Sequence, residues 1–206
     1  MSRILKASAS SAAECVKALA KGRAVVYPTE TVYGLGVDAT NRKAVRLLFR
    51  IKKRDPKKPT SIAVANLKEA EKIAHFNKLA LKLAKKFLPG PLTLVLKAKK
   101  SLPVLADDGT IGIRIPDSRF THTLLLKFKK PITATSANIS GARSASDLDQ
   151  IDKQLLEMTE IIIDGSRTKY KIGSTVVDAT GDEPKILREG AISRKSIENV
   201  LNTKIV

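Results

Sequence analysis

The sequence has one cysteine, two histidines and no tryptophan among its 206 residues, and each scarcity closes a class of function. A single thiol, Cys15, cannot form a disulfide within the chain, so no disulfide framework holds this fold. Ala12, Cys15, Val16 and Leu19 recur at the spacing of one helix face, which predicts a buried core residue rather than a reactive thiol. His75 and His122 each stand without a partner at metal-ligand spacing, so neither a zinc site nor a Ser-His-Asp triad is legible. Three tyrosines and five phenylalanines are too few for the base-stacking platform of an aromatic RNA reader. No apolar run is long enough to span a bilayer, and Met1 to Ser10 carries no signal-peptide core. The expectation is a soluble cytoplasmic protein with no membrane association.

Acidic residues are also in short supply. Against 38 Lys+Arg stand 20 Asp+Glu, a formal net charge of +18. Such an excess attracts polyanions, nucleic acid before membrane, although lysines scattered over solvated helix faces would produce the same count. With 43% hydrophobic and 28% charged residues the composition is that of a globular chain. No linker, repeat or low-complexity tract divides it, so residues 1–206 are expected to form a single domain.

Short β-rich runs alternate with helical segments. Ser11 and Glu14 read as a capping box for a first helix that ends at Lys21-Gly22. Ala24 to Tyr27 reads as a buried strand stopped by Pro28, and Asn41 as the start of a helix with Ala44, Leu47, Leu48 and Ile51 on one face. Further strands are predicted at 61–65, 92–96, 111–115, 132–135, 161–164, 174–178 and 186–188. Helices are predicted at 67–74, 79–88, 120–128, around 148–155 and at 193–201. The alternation predicts an α/β fold, a twisted mixed parallel/antiparallel sheet flanked by helices.

The loops carry the chemistry. Pro28 to Gly36 follows the first strand with hydroxyls, a carboxylate and two glycines, at the strand end where open α/β sheets place ligands. Gly34 to Ala39 fits a loose dinucleotide fingerprint, but its glycines come seven residues after the strand, and a hydride-transfer enzyme is not favoured. Lys52 and Arg54, in a loop held extended by Pro56 and Pro59, would point the same way and suit a di- or triphosphate. Ser136-Ala137-Asn138 follows a strand and reads as an anion cradle or as an ordinary Asx turn. Arg114, inside an apolar strand, needs a carboxylate or phosphate partner. Ser174 and Arg188 stand at two further strand ends.

Together these segments resemble the YrdC family, the threonylcarbamoyl-AMP synthases. The family's PT(E/D)TVYGLG loop stands here as Pro28 to Gly36, its KxR motif as Lys52 and Arg54, and its GIRxP strand as Gly112 to Pro116. Its SxNxSG turn stands as Ser136 to Gly141, and its late STVVD and LREG pair as Ser174 to Asp178 and Leu187 to Gly190. The resemblance implies a YrdC-like fold and an enzyme joining L-threonine, bicarbonate and ATP into threonylcarbamoyl-AMP and pyrophosphate. It implies Mg²⁺ travelling with ATP rather than in a protein cage, and no metal site of the protein's own. It also implies a downstream tRNA threonylcarbamoyl-transferase complex that modifies position 37 of tRNA. By the same resemblance Lys52 and Arg54 are catalytic and hold phosphates with Lys58. Thr110, Ser136, Asn138, Ser144 and Arg188 complete the nucleotide pocket, and Thr31, Arg114 and Ser174 hold threonine. Three departures stand out. Ala63 occupies the place where longer members often carry a histidine, Asp55 replaces the proline after KxR, and the longer members' C-terminal domain has no counterpart before Val206. A lid would then come from elsewhere. The alternative is a tRNA- or double-stranded-RNA-binding, or ribosome-associated, factor whose nucleotide pocket is vestigial. A transferase acting on another amino acid differs from the first reading only in pocket shape.

Overall fold

The computed structural model describes residues 2–205. Its mixed α/β organisation agrees with the sequence, but the strands divide between two sheets instead of joining one.

The first sheet opens with a strand the sequence pattern did not indicate, β1 (Arg3–Lys6). Only Leu5 of its four residues packs on the core, which is too little for a periodic signal. Helix α1 (Ala9–Ala20) begins earlier than expected. Ser8, not Ser11, is the N-cap: its side chain accepts the Ser11 N–H, and the Ser11 hydroxyl accepts the Ser8 N–H. Glu14 is instead in surface ion pairs with Arg3 and Lys17. Cys15 is buried as predicted, on the face α1 presents to α5 (Arg119–Phe128), with Leu19, Leu124 and Phe128 in the same cluster. Burying a side chain such as Leu19 or Leu124 contributes about 1.5–3 kcal/mol.

Strand β2 (Val25–Tyr27) pairs antiparallel with β3 (Gly34–Gly36), a segment expected to be loop. Its glycines serve this pairing. A Cβ on Gly34 would lie 2.7 Å from Tyr27 Cζ, and one on Gly36 2.8 Å from Tyr27 Cε1. The Tyr27 ring lies flat across both, so their role is room for an aromatic ring and not for a pyrophosphate. Helix α2 (Arg42–Ile51) follows, capped by Asn41 as predicted and burying Ala44, Leu48 and Ile51.

The second sheet is built on β4 (Ile62–Ala63), β5 (Leu92–Lys97) and β6 (Thr110–Arg114). Helices α3 (Leu67–Glu71) and α4 (Lys78–Phe87) lie between β4 and β5 in the chain. The predicted strand 132–135 is two strands. In β7 (Ile132–Thr133) Thr133 pairs with Ile62 in the second sheet, whereas in β8 (Thr135–Ser136) Thr135 pairs with Leu35 in the first. The Thr133 hydroxyl reinforces the crossing by donating to Leu35 O (3.2 Å) and accepting from Val37 N (3.1 Å). The predicted helix around 148–155 is a 3₁₀ turn (Leu148–Gln150) and a separate short helix α6 (Lys153–Glu157), which Asp152 caps. Strand β9 (Ile161–Asp164) runs parallel to both β1 and β2. Strands β10 (Thr175–Asp178) and β11 (Lys185–Arg188) extend the second sheet beside β5, and α7 (Arg194–Leu201) packs on α4.

Candidate functional site

A cleft of about 330 Å³ is lined by strands of both sheets, with Tyr27, Gly34 and Ser136 on one side and Thr93, Arg114 and Val176 on the other. It gathers Lys52, Arg54, Arg114, Ser136, Asn138, Ser144, Ser174 and Arg188, residues spread over 137 positions of sequence.

Lys52 and Arg54 reach the cleft by a route different from the expected one. Lys52 is the C-cap of α2 and still helical, and Lys53 turns the chain with a φ of 47° before Arg54. It is this turn, not an extended segment, that brings both cations to one wall. Lys52 is 2% exposed, and its ammonium donates to Ser136 O (2.5 Å) and Asn138 O (2.7 Å). Its own carbonyl accepts Ser140 N–H (2.8 Å), so Lys52 grips the 136–140 turn from both ends. Burial, and then the neighbouring Arg54, lower the Lys52 pKa from 10.5 to about 8. Arg54 donates through Nη2 to Pro59 O (2.7 Å), and burial lowers its pKa as well.

Arg114 has found the carboxylate its strand position requires. Nη2 donates to Glu30 Oε1 (2.7 Å) and to the Thr31 hydroxyl (2.6 Å). Both side chains of the ion pair are almost wholly buried, at 9% and 2% exposure. Thr31 therefore backs Arg114 and does not line the cleft, while its neighbour Thr29 does. Ala63, standing where longer family members carry histidine, lies beside Arg114 in the β4–β6 register. Ser174 is buried, and Arg188 at the rim donates to Ser174 O through Nη2 (2.8 Å) and Nε (3.2 Å).

Besides Thr31, two further residues named from the sequence lie outside the cleft lining. Lys58 is exposed in the 53–59 loop, outside the cleft lining. Thr110 begins β6 four residues before Arg114, some ~13 Å along the strand, and its hydroxyl is bound to Asp108. Thr110 is too far along β6 to share Arg114's surroundings. Conversely, Thr29, Thr60 and Thr93 line the cleft and were not singled out. A threonine in the aliphatic run Leu92 to Leu96 is the one signal that could have found Thr93.

Four buried side-chain atoms lack a hydrogen-bond partner among the described residues: Arg54 Nε, Arg114 Nε, Asn138 Oδ1 and Glu30 Oε2. Three belong to cleft-lining residues, and the fourth to the carboxylate paired with Arg114. Such atoms cost about 1–3 kcal/mol each when left unpaired, so their clustering marks a place completed by a ligand or ordered water. No Asp or Glu lines the cleft, and no group of three His, Cys, Asp or Glu side chains suited to a metal ion occurs among the described residues. The cleft is built for anions. No helix of the described chain is long and apolar enough to cross a membrane.

A Sua5/YciO/YrdC family model, described as "Telomere recombination", matches residues 17–190. A relative from Methanocaldococcus jannaschii is 43% identical over 176 residues, covering 85% of this chain and 84% of the relative. A Pyrococcus abyssi protein named threonylcarbamoyl-AMP synthase is 38% identical over 184 residues, which are 88% of this chain but 54% of that protein. This chain thus spans about half the length of that relative. A crystal structure of P. abyssi Sua5 complexed with L-threonine matches at a TM-score of 0.92 and 32% identity, over 100% of this chain and 62% of that one. E. coli YciO matches at 0.88 and 27%, over 96% and 100% of the two chains.

Proposed function

The chain belongs to the Sua5/YciO/YrdC family, and from that membership we infer that it is a threonylcarbamoyl-AMP synthase. The reaction joins L-threonine, bicarbonate and ATP and yields threonylcarbamoyl-AMP, pyrophosphate and water. The observation that carries this reading is an acid-free cleft whose lining residues Arg54, Arg114 and Asn138 each keep a buried polar atom unpaired.

The threonine amine first takes up the carbon of bicarbonate as a carbamate, with loss of water. A carbamate oxygen then bonds to the α-phosphorus of ATP, and the bond from that phosphorus to the bridging oxygen breaks, its electron pair leaving with pyrophosphate. Both steps need positioning and charge stabilisation, not a protein nucleophile. Lys52 and Arg54 take the phosphate charge, which requires Lys52 to exchange the Ser136 and Asn138 carbonyls for phosphate oxygens. Ser136, Asn138 and Ser144 complete the nucleotide compartment, and Arg188 closes it from the rim. Arg114 and Ser174 hold the amino acid, Thr31 and Glu30 having fixed one end of the guanidinium. Lys58 acts at most as an outer phosphate contact, and Thr110 drops out of the reading.

Mg²⁺ would come with the nucleotide and offset triphosphate charge, since the lining residues include no carboxylate to hold it. The adenylate leaves for a transferase complex acting on tRNA. Incubation with all three substrates is expected to release pyrophosphate, and omission of any one to prevent it. Release that ignores threonine would sink the proposal.

A further inference from the structure

Strands β5, β10 and β11 lie side by side, and Thr93, Val176 and Arg188 face one another across them in register. Ser174 precedes β10 by one residue and is two before Val176, so it sits on the same face. In β5 the opposite face is purely aliphatic, Leu92, Leu94 and Leu96 being wholly buried. On the cleft face Val95 is half-buried and Lys97 exposed, while Thr93 is only 3% exposed. A hydroxyl buried so deeply in a strand needs a reason. Its partner is Ser174, with Thr93 Oγ1 2.7 Å from Ser174 Oγ. Ser174 Oγ also lies 3.2 Å from Arg188 Nη2.

The donor inventory of these three groups is restrictive. A guanidinium can only donate, so Arg188 uses one lone pair of Ser174 Oγ. If Thr93 donates as well, both lone pairs of Ser174 are occupied and its single O–H is turned away from the protein. We propose that Thr93 is a positioning residue for the synthase reaction: with Arg188, it orients the Ser174 hydroxyl as a donor toward an anionic oxygen of the bound amino acid. The proposal rests on the synthase reading above. It also accounts for Gly173, where a Cβ would stand 3.3 Å from Arg188 Nη2 and press on the third member of the set.

Thr93→Val keeps the branched shape and removes only the hydroxyl, and Thr93→Ser keeps the hydroxyl. Steady-state pyrophosphate release is measured for both variants and the wild type, with threonine and ATP varied separately. Thr93→Val is expected to raise the KM for threonine roughly five- to tenfold, the effect of one lost hydrogen bond. Its kcat and its KM for ATP should stay within about twofold, and Thr93→Ser should return the threonine KM toward wild type. A Thr93→Val enzyme with unchanged threonine KM, or with both KM values raised alike, would overturn the proposal, as would a serine variant no better than valine. A wild-type protein that releases no pyrophosphate with threonine overturns the synthase reading and this proposal together. A urea midpoint for Thr93→Val close to wild type shows that a KM change does not come from a damaged fold.

Discussion

Lys52 closes helix α2 with its ammonium on two backbone carbonyls, buried and close to the positive charge of Arg54. That setting holds its pKa at about 8. Phosphates favour the charged form, so nucleotide binding must protonate Lys52 wherever the free protein has lost that proton. Affinity for ATP is expected to be level below about pH 7 and to fall with rising pH above 8, approaching tenfold per unit. Calorimetric titration across pH 7 to 9.5 checks this, and Lys52→Met should give weaker binding with that slope removed. A slope that survives Lys52→Met would assign the proton elsewhere. Lys52 and Arg54 are legible as a pair from their two-residue spacing, but a turn at Lys53, and not an extended segment, makes them converge. The left-handed turn at Lys53, a residue type that seldom adopts it, is invisible in sequence.

At the scale of elements, the β2–β3 hairpin shows how a motif can be found and misread. Glycines at 34 and 36 suggest a ligand-hugging loop, yet they are a strand whose missing side chains admit the Tyr27 ring. That ring cannot retreat: it is 1% exposed, its hydroxyl donates to Thr133 O at 2.9 Å, and it forms part of the cleft wall. Gly34→Ala is therefore expected to cost about 1–3 kcal/mol by overpacking. Gly181→Ala, whose Cβ would meet nothing within 4 Å, is the matched control. Urea unfolding of the two variants checks this, and equal midpoints would refute the packing argument. The split of 132–135 into β7 and β8 belongs to the same scale. A two-residue strand is too short to show periodicity, and only pairing partners reveal that Thr133 and Thr135 serve different sheets.

For the whole molecule the question is what the +18 charge does. Seven of the eight ion pairs among the described residues involve a basic side chain at least half exposed, and such pairs contribute little stability. Lys52 and Arg54 account for only two of 38 basic residues. If the remainder binds RNA, the affinity should fall log-linearly as salt rises from about 50 to 200 mM, and an absence of binding at low salt would leave the charge as solvated surface only. The double variant Lys52→Ala/Arg54→Ala should bind RNA nearly as the wild type does while releasing no pyrophosphate. Fluorescence anisotropy with a labelled RNA separates the outcomes, and loss of RNA binding in the double variant would place the RNA in the cleft instead.

The amino-acid sequence by itself determined most element types, β1 and β3 excepted, because apolar spacing, the Asn41 cap and Pro28 act over a few residues. It also determined the motif set that places the chain in its family. Only the tertiary structure decided that two sheets enclose the cleft, that Glu30 is the partner of Arg114, and that Thr93 belongs to the site while Thr110 does not. These depend on distant segments meeting at ångström distance, as Arg114 and Glu30 do across 84 positions and Thr93 and Ser174 across 81. Local spacing carries no record of such encounters, since they arise from strand pairing across the fold.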